Sequence, residues 1–291
     1  MGDECFNPLL AVLVALFGST SWLGVNAFWV EMSVHTQTLP EGWNLGSILT
    51  IIIQISSIPA ILYTLLDQKG KVTMSTAPII VSSLLLVSIV IIFVGIFNDV
   101  TVHIAGSQRS IVVYIGMFFV GVVSILSDVL FIPYIKNMAG LYFNAFFVGL
   151  GMSALVPSIF SIIQGARSYE CILINSTDPP HLEPRFISPR FGVTTFYILT
   201  FLWYLIGLIA FIIIHYFRDS IHRLWPKRYT WNVKNDIVVP IVVGESDKTW
   251  NGRIDVLLLC MIATVYGCIS VLMPSIQSFV VLPYSPVRRC L

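Results

Sequence analysis

Polar and indole side chains recur at helical spacing in two apolar stretches of the chain. The first stretch carries Ser19, Trp22, Asn26 and Trp29. The second carries Ser47, Thr50, Gln54 and Ser57. In both sets the residues are three, four and three positions apart, which places each set on one face of an α-helix. Two such faces turned toward each other would line a polar cavity, whereas hydrogen bonding between helices without a ligand is the alternative.

Two carboxylates accompany these stretches. Glu31 follows the first set by two residues, and we expect it either as a solvated cap at the outer interface or as a mouth residue that admits ligand or proton. Asp128 lies deeper in an apolar run, before Pro133. Because a charge at the bilayer centre costs about 2.5 to 3.5 kcal/mol on insertion scales, Asp128 is either a coupling residue or a side chain that reaches the interface.

The amino-acid composition indicates that the helices carrying these residues lie in a lipid bilayer. Of 291 residues, 56% are hydrophobic and 11% are charged, and the mean hydropathy is +0.87. Soluble domains are about 25% charged, so this chain has too few charges to coat a globule. The net charge of +1 provides no basic excess for nucleic acid. The sequence therefore predicts an integral membrane protein with the lipid bilayer as its partner.

The long apolar runs predict seven transmembrane helices. About 20 apolar residues are needed to cross a bilayer, and the runs of that length lie at 8–30, 44–66, 77–97, 111–135, 139–163, 193–217 and 254–273. We divide the chain into a six-helix bundle at 1–217, a basic cytosolic loop at 218–253 and a segment at 254–291 that begins with the seventh helix. The proline-containing loop at 164–192 is expected to be an irregular flap.

The distribution of basic residues predicts the orientation. With the N-terminus in the cytoplasm, the inner loops carry ten Lys and Arg residues and the outer segments carry six, in agreement with the positive-inside rule. The same orientation places the acceptor triplet Asn175-Ser176-Thr177 outside, where Asn175 can be glycosylated.

Common motifs for catalysis and metal binding are absent from the sequence. The sequence contains no H-E-x-x-H, no G-x-S-x-G and no Walker glycine loop. Its five cysteines include no C-x-x-C pair. We therefore predict a protein that is not an enzyme and that uses no cofactor and no metal.

Several strings resemble the riboflavin (vitamin B2) transporter family of animal solute carriers. They are FGSTSWLGVNAFWVEM at 17–32, LPEGW at 39–43, FIPYIKN at 131–137, FFVGLGMSALVPSIFSIIQG at 146–165 and MPSIQSFVVLPY at 273–284. Their order and spacing are similar to those of the family, and the resemblance runs over nearly the whole chain.

This resemblance implies facilitated, sodium-independent uptake of riboflavin across the plasma membrane by alternating access. The isoalloxazine ring would stack on indoles and the ribityl hydroxyls would bond to amides, which Trp22, Asn26, Trp29 and Gln54 offer. By motif match, Glu31, Asn144 and Gln277 are further candidates for the cavity. The family has eleven spans in two bundles, so the seven predicted here correspond to one bundle plus the first helix of an incomplete second.

Two alternatives to a transporter remain open. The chain ends shortly after LPY, which is compatible with a truncated isoform that does not transport, or that pairs with the full-length carrier. Seven spans are also the number found in G-protein-coupled receptors. Against a receptor, the sequence has no D-R-Y triplet after span three and no N-P-x-x-Y in span seven, and the charge bias places the N-terminus inside.

Overall fold

The computed structural model describes residues 7–68, 76–104, 106–136, 140–165, 169–174, 181–186 and 189–216. Seven α-helices lie within these residues: α1 (Pro8–Gly18), α2 (Leu23–Thr38), α3 (Leu45–Gln68), α4 (Thr76–Phe97), α5 (Ile111–Lys136), α6 (Gly140–Gln164) and α7 (Val193–Tyr216). The predicted fold class, an all-α polytopic membrane protein, is confirmed. The predicted inner loop at 218–253 and the span at 254–273 lie outside the described residues.

Helices α3 to α7 are each long and apolar enough to cross a membrane. Their ends agree with the predicted spans to within about two residues, because polar or charged residues bound each apolar run. Each helix buries one face and exposes large aliphatic side chains on another, as Ile162 (77% exposed) does on α6 and Ile89 (63%) on α4. These exposed apolar faces are suited to contact with lipid.

The single helix predicted at 8–30 is two helices in the structure. Helices α1 and α2 meet at an angle of 55°, with the break at residues 19–22. Taken together, the pair passes the same test of length and hydropathy as a single span. Helix α2 also runs past the predicted end to Thr38, and a short 3-10 turn at Gly42–Asn44 leads into α3.

Helix α1 packs against two of the other helices. It contacts α6 and α7, while α3 packs on α5, and α4 packs on α5 and α7. Phe17, near the end of α1, is fully buried, and its ring centroid lies 4.4 Å from that of Phe131 on α5 and 4.8 Å from that of Phe211 on α7. The last turn of α1 is thereby fixed against two other helices.

Two short hairpins connect helices. Strands β1 (Val102–Ile104) and β2 (Ser107–Arg109) pair between α4 and α5. Strands β3 (Tyr169–Ile174) and β4 (His181–Phe186) pair between α6 and α7, so the irregular flap predicted at 164–192 contains an antiparallel ladder.

Candidate functional site

The break between α1 and α2 is formed by three consecutive hydroxyl residues. The Ser19 hydroxyl donates to the Leu16 carbonyl at 2.7 Å, and the Thr20 hydroxyl donates to the Phe17 carbonyl at 2.7 Å. The backbone N–H of Ser21 donates to the Gly18 carbonyl at 3.2 Å, which is a tighter turn than an α-helix. Side-chain hydroxyls that bond to nearby carbonyls compete with helix continuation, so the helix ends here.

The new helix begins without a capping side chain of its own. Trp22 is its N-cap residue and makes no side-chain cap bond. Instead, the backbone N–H of Gly24 donates to the hydroxyl of Tyr204 on α7 at 2.8 Å. An interrupted helix inside a membrane is tolerated where protein groups satisfy the exposed backbone. The Tyr204 hydroxyl does this for one N–H of the first turn of α2.

The first turns of α2 place three of the predicted residues on one face. Trp22, Asn26 and Trp29 are each partly exposed and follow one another at four and three positions. The indole N–H of Trp22 donates to a carboxylate oxygen of Asp128 on α5 at 3.1 Å. The structure therefore joins two predicted residues, one from each of two helices, next to the break.

Asn26 connects the same face to α6. Its side-chain N–H donates to the hydroxyl of Ser153 at 3.2 Å, and that hydroxyl donates to the Leu150 carbonyl at 2.6 Å. Ser153 is buried, while Asn26 is partly exposed. The amide is thus held in position by α6, and Asn26 remains partly exposed.

The break is also connected to α7. The indole N–H of Trp203 donates to the Ser19 hydroxyl at 2.9 Å. Because the Ser19 hydroxyl also donates to the Leu16 carbonyl, it acts as hydrogen-bond donor and acceptor at the same time. The sequence did not predict that Ser153, Trp203 and Tyr204 bond to residues at the break. A signal for Trp203 and Tyr204 was available, because an indole N–H and a phenol hydroxyl inside the apolar sequence of α7 each need a hydrogen-bond partner.

Two further predicted residues lie on exposed faces away from this group. Gln54 is exposed on α3. The other side of α3 packs on α5, where the Ser56 hydroxyl donates to the Phe118 carbonyl at 3.0 Å. Asn144 is exposed on α6, half a turn from the buried Tyr142. Neither is joined by a hydrogen bond to the Trp22–Asn26 face within the described residues.

Two hydroxyls of the polar stripe predicted along span two are bonded inside their own helix. The Thr50 hydroxyl donates to the Gly46 carbonyl at 2.9 Å, and the Ser57 hydroxyl donates to the Gln54 carbonyl at 2.6 Å. These bonds use the hydroxyl protons that a ligand or a second helix would otherwise accept.

Glu31 is buried rather than solvated. Its side chain is 0% exposed and lies on the face of α2 about half a turn from Trp22. One carboxylate oxygen accepts from the side-chain N–H of Gln164 on α6 at 2.9 Å. Of the two expectations for Glu31, the solvated cap is wrong, because α2 extends beyond residue 30 and covers this position with α6 and α7. Gln277 and Asn175 lie outside the described residues.

The arrangement around the break is suited to binding a polar aromatic molecule. Partly exposed indoles provide flat apolar surfaces for stacking, and the amide of Asn26 and the carboxylate of Asp128 provide hydrogen-bonding groups. Within the described residues, no group of three or more His, Cys, Asp or Glu side chains could hold a metal ion.

Comparison of the sequence with known proteins identifies its family. The family model described as "Solute carrier family 52, riboflavin transporter" matches residues 6–288. The riboflavin transporter rft-1 of Caenorhabditis elegans is 38% identical over 203 residues, which cover 70% of this chain and 46% of that protein. The riboflavin transporter rft-2 of the same species is 35% identical over 218 residues, covering 75% of this chain and 44% of the relative.

A human relative matches over a similar share. Member 3 of the human family, a riboflavin transporter, is 28% identical over 238 residues, which cover 71% of this chain and 51% of that protein. The chain therefore spans about half the length of the curated relatives it matches. No solved structure matches it. Because the family model covers almost all of the sequence, the chain belongs to the riboflavin transporters of solute carrier family 52.

Proposed function

We propose that the chain binds riboflavin at the break between α1 and α2 and takes part in its facilitated, sodium-independent transport across the plasma membrane by alternating access. The observation that carries the proposal is the interrupted span whose second helix presents Trp22 and Asn26, with the indole bonded to Asp128 on α5. Interrupted helices that expose polar groups at membrane depth are the usual setting of transporter binding sites.

The chemistry of riboflavin is compatible with these side chains. Its isoalloxazine ring is flat and can stack on the indoles of Trp22 and Trp29. Its ribityl hydroxyls and its imide N–H require hydrogen-bond acceptors, which the side-chain oxygens of Asn26 and Asp128 supply. Substrate recognition thus needs one aromatic surface and a few fixed polar groups, as in most small-molecule sites.

Uptake of radiolabelled riboflavin by cells that express the chain tests the proposal. Trp22→Ala and Asn26→Ala should each reduce uptake about tenfold, since each removes a contact made at the break. Trp43→Ala and Asn44→Ala are the matched controls, because these residues carry the same side chains, are exposed in the 3-10 turn and lie outside the proposed site. Replacing sodium by choline should leave uptake unchanged. Uptake equal to that of empty cells for the unaltered chain would contradict the proposal.

The orientation is part of the same proposal. We place the N-terminus in the cytoplasm and Asn175 outside as a glycosylated residue. An N-terminal tag should then be reached by antibody only after permeabilisation. Removal of N-linked glycan should increase gel mobility, and Asn175→Gln should abolish that change. Surface labelling of the tag in intact cells would reverse the topology.

A further inference from the structure

Glu31 and Gln164 form a buried pair in which two oxygen atoms have no hydrogen-bond partner. Both side chains are 0% exposed. One oxygen of Glu31 accepts the Gln164 N–H, whereas Oε2 of Glu31 and Oε1 of Gln164 are bonded to nothing among the described residues. A buried acceptor without a donor is destabilising, and a buried charge without a partner is more so. Two such acceptors in one pair require an explanation.

Exchanging the oxygen and nitrogen of the Gln164 amide by a 180° rotation would not give the two oxygens a donor. Its nitrogen donates at 2.9 Å to Glu31 and at 3.3 Å to the backbone carbonyl of Phe191. Both partners are acceptors, so the nitrogen must face them, and the amide oxygen is left on the remaining side. The Gln164 backbone carbonyl also accepts from the N–H of Arg190 at 2.9 Å, which fixes the end of α6 against this segment.

The other groups around Glu31 do not supply the missing donor. His35, one turn further along α2, bonds through Nε2 to the hydroxyl of Tyr197 on α7 at 3.0 Å. The Tyr197 hydroxyl is engaged in this bond, and within the described residues Tyr197 forms no hydrogen bond to Glu31. Arg190 is exposed and directs its guanidinium to the Ile163 carbonyl. No cation is paired with Glu31 in the part of the chain that the structure describes.

We propose that Glu31 and Gln164 are a binding site for a single proton, held on Oε2 of Glu31. A hydronium ion transfers one proton to Oε2 and is left as water, so one O–H bond of hydronium breaks as the O–H bond of a neutral carboxylic acid forms. That O–H can donate to Oε1 of Gln164, while the amide N–H donates back to Oε1 of Glu31. The result is a two-bond ring between acid and amide that satisfies both orphan oxygens at once and removes the buried charge. The site does not depend on riboflavin being the substrate.

Infrared spectroscopy of the purified full chain in lipid tests the site directly, since the carbonyl stretch of a protonated carboxyl group is well separated from that of a carboxylate. At neutral pH the spectrum should contain this band, with the shift on exchange into heavy water that a carboxylic acid shows. Glu31→Gln should abolish the Glu31 component, whereas Asp128→Asn and Asp99→Asn should retain it. Absence of the band, or its full persistence in Glu31→Gln, would overturn the proposal.

A second variant keeps the test decisive if Glu31→Gln does not fold. Gln164→Leu leaves Glu31 in place and removes the amide, so the band should shift to the frequency of a carboxylic acid without a hydrogen-bond partner. An unshifted band would show that the proton is not shared with Gln164. Replacing sodium by choline should leave the band unchanged, and a band that grows as sodium is withdrawn would assign the site to a metal cation instead. None of these measurements requires riboflavin, so their failure is distinguishable from failure of the proposed function.

Discussion

The carboxylate of Glu41 binds Ser110 twice, although the two residues are 69 positions apart in the chain. One oxygen accepts the Ser110 backbone N–H at 2.6 Å, and the other accepts its hydroxyl at 2.8 Å. The hydroxyl of Tyr114 adds a third bond at 2.7 Å. Ser110 immediately precedes α5, so this contact fastens the loop between α2 and α3 to the start of another helix. It also gives the LPEGW string at 39–43 a structural role.

Removing this contact should destabilise the protein. Glu41→Ala leaves the N–H of Ser110 buried without an acceptor, and hydrogen bonds to a charged group contribute about 1.5 to 3 kcal/mol each. We expect a loss of about 3 kcal/mol for Glu41→Ala and a smaller loss for Glu41→Gln, which retains one acceptor. Thermal unfolding in detergent measures both. Asp99→Asn, an exposed acid between α4 and β1, is the control and should have no effect.

The contact at Glu41 should also make stability depend on pH. Burial raises the pKa of this carboxyl, but the hydrogen bonds from Tyr114 and Ser110 outweigh burial, so the pKa of Glu41 lies below its usual value. A lowered folded-state pKa gives stability that is present above the unfolded-state pKa and lost as pH falls through the folded-state pKa. The stability difference between wild type and Glu41→Gln should therefore be largest near neutral pH and shrink on acidification. A difference that grows on acidification would contradict this assignment.

Gly149 allows α6 to contact α1 through its backbone. A Cβ at this position would overlap the Ala15 carbonyl oxygen, whereas a Cβ at Gly151, two residues later, would meet nothing within 4 Å. Gly149→Ala should cost about 1 to 3 kcal/mol, because overpacking shifts the backbone. Gly151→Ala should be neutral or slightly stabilising in a helix. Folded yield and thermal unfolding compare the two, and equal behaviour of the pair would contradict the packing of α1 on α6.

The sequence predicted most of the helices because their limits depend on local composition. Helices α3 to α7 begin and end where an apolar run meets polar or charged residues, and hydropathy detects that change directly. The break at Ser19–Trp22 could not be found in this way, because its flanking residues are apolar enough to continue a helix. It is stabilised by Trp203 and Tyr204, which lie 180 or more positions away.

The group of polar residues at the break could be predicted only in part from the sequence. Trp22 and Asn26 were found because polar groups at helical spacing in a span are costly unless they face protein or water. Asp128 was predicted separately, from its charge within an apolar run. The bonds of Trp22 to Asp128 and of Asn26 to Ser153 join different helices, so spacing within one helix cannot identify these pairs. Gln54 has the same spacing pattern, but its exposure depends on how α3 packs against α5. That packing depends on the sequences of both helices, so the sequence of α3 by itself does not predict it.

Tyr204 should stabilise the start of α2. Tyr204→Phe keeps the ring but removes the hydroxyl that accepts the Gly24 N–H, leaving that N–H buried beside Val120. The expected cost is about 1 to 2 kcal/mol, in the range for an unsatisfied buried donor. Thermal unfolding measures this loss, and Tyr216→Phe, which alters an exposed tyrosine in the same helix, is the control. Equal unfolding of Tyr204→Phe and wild type would contradict the capping role.

The bond between Trp22 and Asp128 should appear as energetic coupling in transport. Trp22→Phe keeps an aromatic ring and removes the indole donor, and Asp128→Ala removes the acceptor. Each should lower riboflavin uptake severalfold, and the double variant should be little worse than either single one, with a coupling energy of about 1 kcal/mol. Trp29→Phe combined with Asp128→Ala is the matched control. Trp29 lies on the same face of α2 but makes no hydrogen bond to Asp128 within the described residues. The losses of uptake caused by these two substitutions should therefore add. Additive losses for Trp22→Phe and Asp128→Ala would show that the 3.1 Å bond plays no part in arranging the site.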